Sequence, residues 1–395
     1  QSCAVHSRHD REGRDEPRHA HVCLSGLTAL SLHVSGDCNL RCDYCYLKDV
    51  QRTGPRPSSV RVMSEQTAMR ALDVLFDESV GERDLSLVFF GGEPLMNIEL
   101  IESVGRAALA RAEAECRRLT LHITTNGTLL KGHALSTLRE LGVRVMVSID
   151  GDRDTHDAHR KTRNGGGTHD VIAANVAGLP DDMVATARAT LTEDTMPLVA
   201  LVSHLSDLGF GAVHLAPVSG LPLRGSFVNR LENELTALAA DELRTLTEGG
   251  RPRVGNFAEA VLSLELSRHR ERPCGAGSRY VSVAHDGGLY LCHRLVDRSA
   301  CRVGDVAGGL DRVAVADVLA AMGESSVGCL DCWAFGLCGG PCFHDRGVVP
   351  DERCRFTRKV LELSMWLYSS LPAERRKRLR KVAGRLVEPT AWGRG

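Results

Sequence analysis

The sequence predicts an α/β protein: a partial, TIM-like (β/α)6 barrel, open on one side, followed by a smaller cysteine-rich region. Three observations carry this. Between Thr28 and Pro217, short apolar stretches alternate six times with amphipathic ones, and such alternation implies a parallel sheet with helical crossovers. Each apolar stretch runs out into glycine and polar residues, where a parallel sheet builds a site from its βα loops. Of fourteen cysteines, ten fall into two fields, three from Cys38 to Cys45 and, Cys301 aside, seven from Cys274 to Cys354. A doubly wound sheet with incidental loop residues is the alternative that the same alternation permits.

Taken in order, residues 1–24 mix charges and hold few apolar side chains, which predicts a flexible extension. Its His6, His9, His19 and His21 suit either metal chelation or a solvated tail. The barrel is expected over 25–218. TALSLHVSG (28–36) alternates like a strand, and Ser64 is placed to cap a helix whose apolar face is Met69, Leu72, Leu75 and Phe76. LSLVFFGGEP (85–94), LTLHITTNG (119–127), VRVMVSIDG (143–151), MVATARATLT (183–192) and GAVHLAPV (211–218) read as the remaining strands. Helices are predicted near 97–117, 133–141, 169–178 and 196–208, with a Gly165–Gly167 loop before the third. Residues 219–271 read as a helical bridge. From 272 to 356 short strands, glycines and cysteines suggest a small metal-stapled domain. A helical tail covers 357–395, and its basic run AERRKRLRKVAGR (373–385) suits either a solvated face or an acidic partner.

Composition narrows the function. With 43% hydrophobic residues, 25% charged and a net charge of -1, the 395-residue chain gives no global reason to expect nucleic acid or an acidic membrane as partner. No apolar run approaches a bilayer span, and no basic-then-apolar signal opens the chain, so a cytoplasmic protein is expected. In that compartment clustered cysteines point to metal or catalysis rather than disulfides. Cys3, Cys23, Cys116 and Cys301 stand apart from the pattern and read as incidental thiols.

The first field is GDCNLRCDYCYLKD, with Cys38, Cys42 and Cys45 spaced C-x3-C-x2-C. A structural zinc wants four ligands and a closed [4Fe-4S] cubane wants four thiolates. Three thiolates on one loop suit a cubane with one iron left open, while zinc with water as fourth ligand satisfies the same spacing.

Cys38, Cys42 and Cys45, with Tyr44 before the last, resemble the cluster loop of radical S-adenosylmethionine (SAM) enzymes. The likeness continues at successive strand ends. Gly91-Gly92-Glu93-Pro94 is similar to the family segment that meets the methionine amino group, and Thr124-Thr125-Asn126-Gly127 to its third-strand polar motif. Ser148-Ile149-Asp150-Gly151 resembles the ribose-contacting segment. Arg160 stands where the family often places a contact for the SAM carboxylate, and Leu215 fits an adenine contact. The resemblance implies that SAM chelates the open iron. An electron from the reduced cluster then cleaves the sulfonium, and a 5′-deoxyadenosyl radical abstracts a substrate hydrogen.

The second field, Cys274, Cys292, Cys329, Cys332, Cys338, Cys342 and Cys354, with Gly287 between the first two, resembles the SPASM extension of radical SAM peptide maturases. The resemblance implies two auxiliary clusters, three [4Fe-4S] clusters in all. Cys329, Cys332, Cys338 and Cys354 would close auxiliary cluster II, and Cys274, Cys292 and Cys342 would hold auxiliary cluster I. Some relatives add a cysteine six residues after the first; that position here is Tyr280, so three protein ligands are expected on cluster I, with Cys301 a lesser fourth. One or two zinc sites are the alternative for this region.

Sulfatase-maturing relatives typically carry an aspartate after the cysteine aligned with Cys292, and here His293-Arg294 follows. That departure points toward a ribosomal-peptide maturase forming a crosslink rather than formylglycine. A SPASM-like enzyme for a small molecule, or a non-catalytic scaffold, remains a further class. His293 is the candidate proton acceptor, with a packed histidine as the other reading. Asp154, His156, Asp157 and His159 either shape the SAM pocket or form a charged loop surface. The expected partners are a precursor peptide, an external electron donor such as flavodoxin or ferredoxin, and a separate leader-binding protein if the barrel rim or the 219–271 segment does not serve.

Overall fold

A computed structural model describes residues 26–47, 61–296, 298–322, 327–345 and 351–386. The 1–24 extension, with its four histidines, Cys3 and Cys23, lies outside the described residues, as does the end of the tail from 387 onward.

Six parallel strands form in the order the alternation predicts. They are β1 (Ala29–Ser35), β2 (Asp84–Gly91), β3 (Arg118–Thr125), β4 (Arg144–Ser148), β5 (Thr186–Leu191) and β6 (Ala212–Pro217), each paired with the next. Between them run α1 (Glu65–Asp77), α2 (Ile98–Ala114), α3 (Gly132–Glu140), α4 (Arg153–His159), α5 (His169–Ala177) and α6 (Leu198–Asp207). Ser64 caps α1 by accepting the Thr67 amide, a contact worth about 1 kcal/mol. Leu72, Leu75 and Phe76 of α1 are buried with Leu30, Leu32 and Val34 of β1 in one core. Burying each such side chain stabilises the fold by about 1.5–3 kcal/mol.

The segment after the fourth strand departs from a charged loop surface. It contains α4, opened by Asp152, whose carboxylate accepts the Thr155 amide. Seven residues are too few for a helical period to stand out in sequence, although Asp152 was a legible cap.

Because side chains alternate across a strand, the other face of β1 carries Ser31, His33 and Ser35, all buried. Here the sheet does not stop. β7 (Tyr280–Val283) pairs with β1 in parallel, and β8 (Gly288–Tyr290), β9 (Arg302–Asp305) and β10 (Gly309–Leu310) continue antiparallel beyond it. Ten strands thus make one sheet, ordered β10-β9-β8-β7-β1-β2-β3-β4-β5-β6. The Ser31 hydroxyl meets both Tyr280 Oη and Ser282 Oγ at 2.7 Å, so the cysteine-rich strands share the barrel's polar inner face.

The bridge folds as α7 (Gly225–Thr247) and α8 (Gly255–Glu265). After α9 (Arg312–Ala321) and two one-turn helices, the chain ends its described course in α10 (Asp351–Ser370) and α11 (Ala373–Leu386). α10 packs on both α7 and α8. The basic run falls on α11. Among the described residues no helix is long and apolar enough to cross a membrane.

Candidate functional site

The first three cysteines leave β1 on a loop bonded, main chain to main chain, to the exit of β2. The Gly92 amide donates to Ser35 O (2.7 Å) and the Glu93 amide to Asp37 O (2.8 Å). This approach leaves no room for side chains. A Cβ on Gly91, whose φ is +133°, would stand 2.1 Å from Ser35 O, and one on Gly92 2.1 Å from Asp37 O.

Glu93 is fully buried, and three donors converge on its carboxylate: Thr125 Oγ1 at 2.6 Å, the Asn126 amide at 2.7 Å and the Leu95 amide at 3.1 Å. Burial nevertheless raises its pKa to about 7, outweighing the three hydrogen bonds, which favour the charged form. Asn126 extends its side chain to Asn39 Oδ1 (2.8 Å) and Cys38 Sγ (3.7 Å), tying the third strand's exit to the cysteine loop.

Asp150 and Arg160 find each other. Arg160 Nε donates to Asp150 Oδ2 at 2.9 Å and Nη2 to Oδ1 at 3.2 Å, the Tyr44 hydroxyl donates to the same carboxylate, and the guanidinium lies 5.4 Å over the Tyr44 ring. The two residues expected at the SAM ribose and carboxylate are thus mutually paired. Ser148 ends β4 beside Arg188 of β5. Leu215 is buried in β6, its main chain bonded both ways to the Asn256 side chain.

The α4 residues are built in. His156 is wholly buried, receiving the Asp150 amide at Nδ1 and meeting Thr168 Oγ1 at Nε2. Asp157 accepts the Thr168 and His169 amides, and His159 pairs with Asp43 at 2.9 Å. Asp154 lies in the first turn of α4.

Electrostatic neighbourhoods sort the thiols into three groups. Burial pushes Cys38 up to about 12, and the charges of Glu93, Cys42 and Cys45 push the same way. Burial likewise takes Cys292 to about 12 and Cys274 to about 11, with Cys342 acting on both. Cys338 is raised by burial and then by Cys329 and Cys332. Cys329, Cys332, Cys338, Cys342 and Cys354 together line a cavity of about 370 Å³. The described cysteines are thiols, none in a disulfide. Cys301, raised by burial, has Arg298 as the charge acting on it.

Buried thiols that resist ionisation until a cation arrives fit a metal centre. Among the described residues no three His, Cys, Asp or Glu side chains stand as a single ion would need. A cubane, whose thiolates sit on separate irons, asks for a wider spacing than one zinc does. Thiolate sulfur is the donor an iron–sulfur cluster takes, and the Cys38, Cys42 and Cys45 loop offers three such donors.

Between the first and second groups lies an aromatic layer. The His293 ring is 4.5 Å from that of Phe90, and its Nδ1 is 3.2 Å from the Tyr280 hydroxyl. Burial, then Arg294, holds the His293 pKa well below the imidazole range. Tyr46 approaches His344 (5.8 Å) and His293 (6.5 Å), and feels the charges of both Cys45 and Cys292. Sequence reasoning passed over Tyr46, Arg294, Asp345 and Asn39. Arg294, Asn39 and Tyr46 had one available signal, their places within two residues of a cysteine of the pattern, while Asp345 is brought in by the fold.

Comparison with known proteins bears on the family and the fold. Residues 32–184 match the family model of the radical SAM superfamily. The chain is 24% identical over 269 residues to a serine-type anaerobic sulfatase-maturating enzyme of Klebsiella aerogenes, covering 66% of this chain and 65% of that protein. It is 29% identical over 147 residues to a radical SAM cyclopropyl synthase of Paramaledivibacter caminithermalis, covering 35% and 30%. Against several curated relatives the chain spans less than half of their length. A solved structure of anSMEcpe with bound AdoMet and the Cp18Cys peptide superposes with a TM-score of 0.71 at 19% identity, covering 91% of this chain and 99% of that one. That likeness bears on the fold, and the cysteine-rich C-terminal region fits a SPASM domain within it. This chain carries a radical SAM domain over residues 32–184.

Proposed function

We propose that the protein is a radical SAM/SPASM oxidoreductase that removes a side-chain hydrogen from a ribosomally made peptide and yields a crosslinked residue. One observation carries the reading: Glu93, Thr125 and Asn126 are hydrogen-bonded into a single rim with the Cys38–Cys45 loop at the exits of β1 to β3. On this reading Cys38, Cys42 and Cys45 hold the first cluster. When bound, the cluster and SAM supply one electron and a 5′-deoxyadenosyl radical.

The chain's own residues would bind and orient. Gly91 and Gly92 present main chain at van der Waals distance from the loop, and Glu93 awaits the methionine ammonium, which would restore its charge. Asp150 and Arg160 would open their pair toward the ribose hydroxyls and carboxylate, with Tyr44 keeping them in register. Ser148 and Leu215 would complete the nucleoside pocket. Cys274, Cys292 and Cys342 would hold auxiliary cluster I, and Cys329, Cys332, Cys338 and Cys354 auxiliary cluster II.

His293 would take the substrate proton. Burial holds its pKa well below the imidazole range, which keeps the ring neutral at neutral pH and makes it a weak base until the site changes around it. Tyr280 stands beside it, its hydroxyl shared between Ser31 and His293. An external donor, flavodoxin or ferredoxin in type, would provide the electron, and a leader-binding protein would deliver the peptide.

Formylglycine formation is a second reading, favoured by the matches to sulfatase-maturating enzymes. Anoxically reconstituted protein given a strong reductant is expected to release 5′-deoxyadenosine. A candidate peptide should then lose two hydrogens by intact mass and stay inert to aldehyde-trapping reagents. A trapped aldehyde selects the second reading, and absence of 5′-deoxyadenosine rejects both.

A further inference from the structure

A closed ring of hydrogen bonds joins the cysteine loop to the exit of β3. Asn39, next to Cys38, sends Nδ2 to Thr128 Oγ1 at 2.8 Å. The Thr128 hydroxyl donates to Asn126 Oδ1 at 2.7 Å, and Asn126 Nδ2 donates back to Asn39 Oδ1 at 2.8 Å. Asn126 and Thr128 are buried and Asn39 is half-buried. The ring is anchored by α5, whose Asn175 Nδ2 donates to Gly127 O at 2.8 Å and Thr128 O at 3.1 Å.

Donor counting gives the ring one direction. A main-chain amide can only donate, and that of Thr128 donates to Asn126 Oδ1 at 3.0 Å. The Asn126 side-chain oxygen is thereby turned toward Thr128 and its Nδ2 toward the loop. Thr128 has a single hydroxyl hydrogen, directed at Asn126, so its oxygen is the acceptor for Asn39. With one Asn126 N–H held by Asn39, the other is left for Cys38 Sγ, 3.7 Å from Nδ2.

Cys38 Sγ also accepts the Leu40 amide at 3.4 Å and stands 4.0 Å from Asn39 Oδ1. The nearby guanidiniums, Arg41 and Arg163, donate to the Cys38 carbonyl. A thiolate has no hydrogen to give Asn39, so a charged sulfur is left to its two N–H donors. Reduction adds negative charge to a cluster. An N–H aimed at a ligand sulfur stabilises the reduced form more than the oxidised one, which raises the midpoint potential.

We propose that Thr128 and Asn39 are positioning residues: by holding the Asn126 amide in one orientation they aim an N–H at Cys38 and raise the midpoint potential of the cluster on the Cys38, Cys42 and Cys45 loop. This rests on the cluster reading above. Thr128 lies 89 residues beyond Asn39 and acts on the sulfur through Asn126.

The test is a reductive titration of the reconstituted full chain, following the electron paramagnetic resonance signal that changes when SAM is added. Thr128→Val keeps the side chain's shape and removes the hydroxyl. It is expected to lower the reduced-to-oxidised ratio about threefold to tenfold, as loss of one hydrogen bond would. The larger figure is about 59 mV for a one-electron couple. Asn39→Ala should lower the midpoint by a similar amount. The double variant should fall no further than the lower single one, because either change opens the same ring. Thr128→Ser, which keeps the hydroxyl and loses the methyl, should titrate like wild type. Packing alone would reverse that order, sparing the valine and penalising the serine. A midpoint unmoved in Thr128→Val and Asn39→Ala, additive in the double variant, or moved as far by Thr128→Ser overturns the inference. So does loss of iron loading in both single variants beside a normal Thr128→Ser, which would leave the ring a holder of the loop alone. Wild-type protein with no SAM-sensitive signal instead overturns the cluster reading.

Discussion

The two cysteine fields use the same ligand chemistry in opposite surroundings. The first sits on one loop of eleven residues, Asp37–Leu47, clamped to the β2 exit by main-chain bonds and faced by Glu93 and Asp150. The second is gathered from the turn before β7, the exit of β8, the one-turn helices and the segment after them, and the start of α10. A contiguous loop fixes three thiols cheaply and leaves one side open to a small ligand. A set drawn from distant segments needs the sheet and α10 to assemble it. The difference teaches that thiol count alone does not set a centre's task. Chain connectivity decides how each set is assembled.

The largest expected effect separates the fields outright. Cys42→Ser should reduce 5′-deoxyadenosine release by more than ~1000-fold, as loss of a ligand removes the centre. Cys332→Ser should leave SAM cleavage measurable while peptide product is lost. Equal loss in both, read by chromatography of 5′-deoxyadenosine and peptide mass, would erase the division of labour. Next, His293→Ala should lower product formation by about 100- to 10,000-fold, the range of general acid–base catalysis, with SAM cleavage continuing uncoupled. Preserved coupling would make it a packed histidine.

Glu93→Gln sharpens the first field alone. Removing one charged partner of an ammonium costs about 1.5–3 kcal/mol, so SAM affinity measured by equilibrium dialysis should weaken roughly 10- to 150-fold. The smallest effect is a pH signature. Folded Glu93 holds its proton to about pH 7, against 4.5 ordinarily. Between those values the folded chain binds more protons than the unfolded one, so this group's contribution to stability falls as pH rises, by about 3 kcal/mol in all. His33 and His122, held near 3 by burial, act with the opposite sign up to their ordinary 6.5. The difference between wild-type and Glu93→Gln denaturation profiles of metal-free protein therefore isolates Glu93. A difference that stays flat from pH 4.5 to 7 would refute its raised pKa.

Much of the site was legible because it lies at strand exits, where glycine, asparagine and acidic residues interrupt an apolar rhythm. Gly91, Gly92, Glu93 and Asn126 belong to that class, and local sequence places them. The α4 segment was harder, since helix and charged loop share its composition, and only Asp152 marked the start. Tyr46 is marked only by following Cys45, and Asp345 left no trace, because their contacts come from neighbours up to hundreds of residues away.

By itself the sequence determined the six-unit alternation, the two cysteine fields and the polar rim of the first, all set by spacing that short-range chemistry enforces. Only the tertiary structure decided that β7 joins β1 in one sheet, that Asp150 and Arg160 pair, and that Arg294 reaches Ser219 at the exit of β6. Those are long-range choices. Burial and charge compensation make them after the chain has closed, and no local pattern encodes which distant partner will be near.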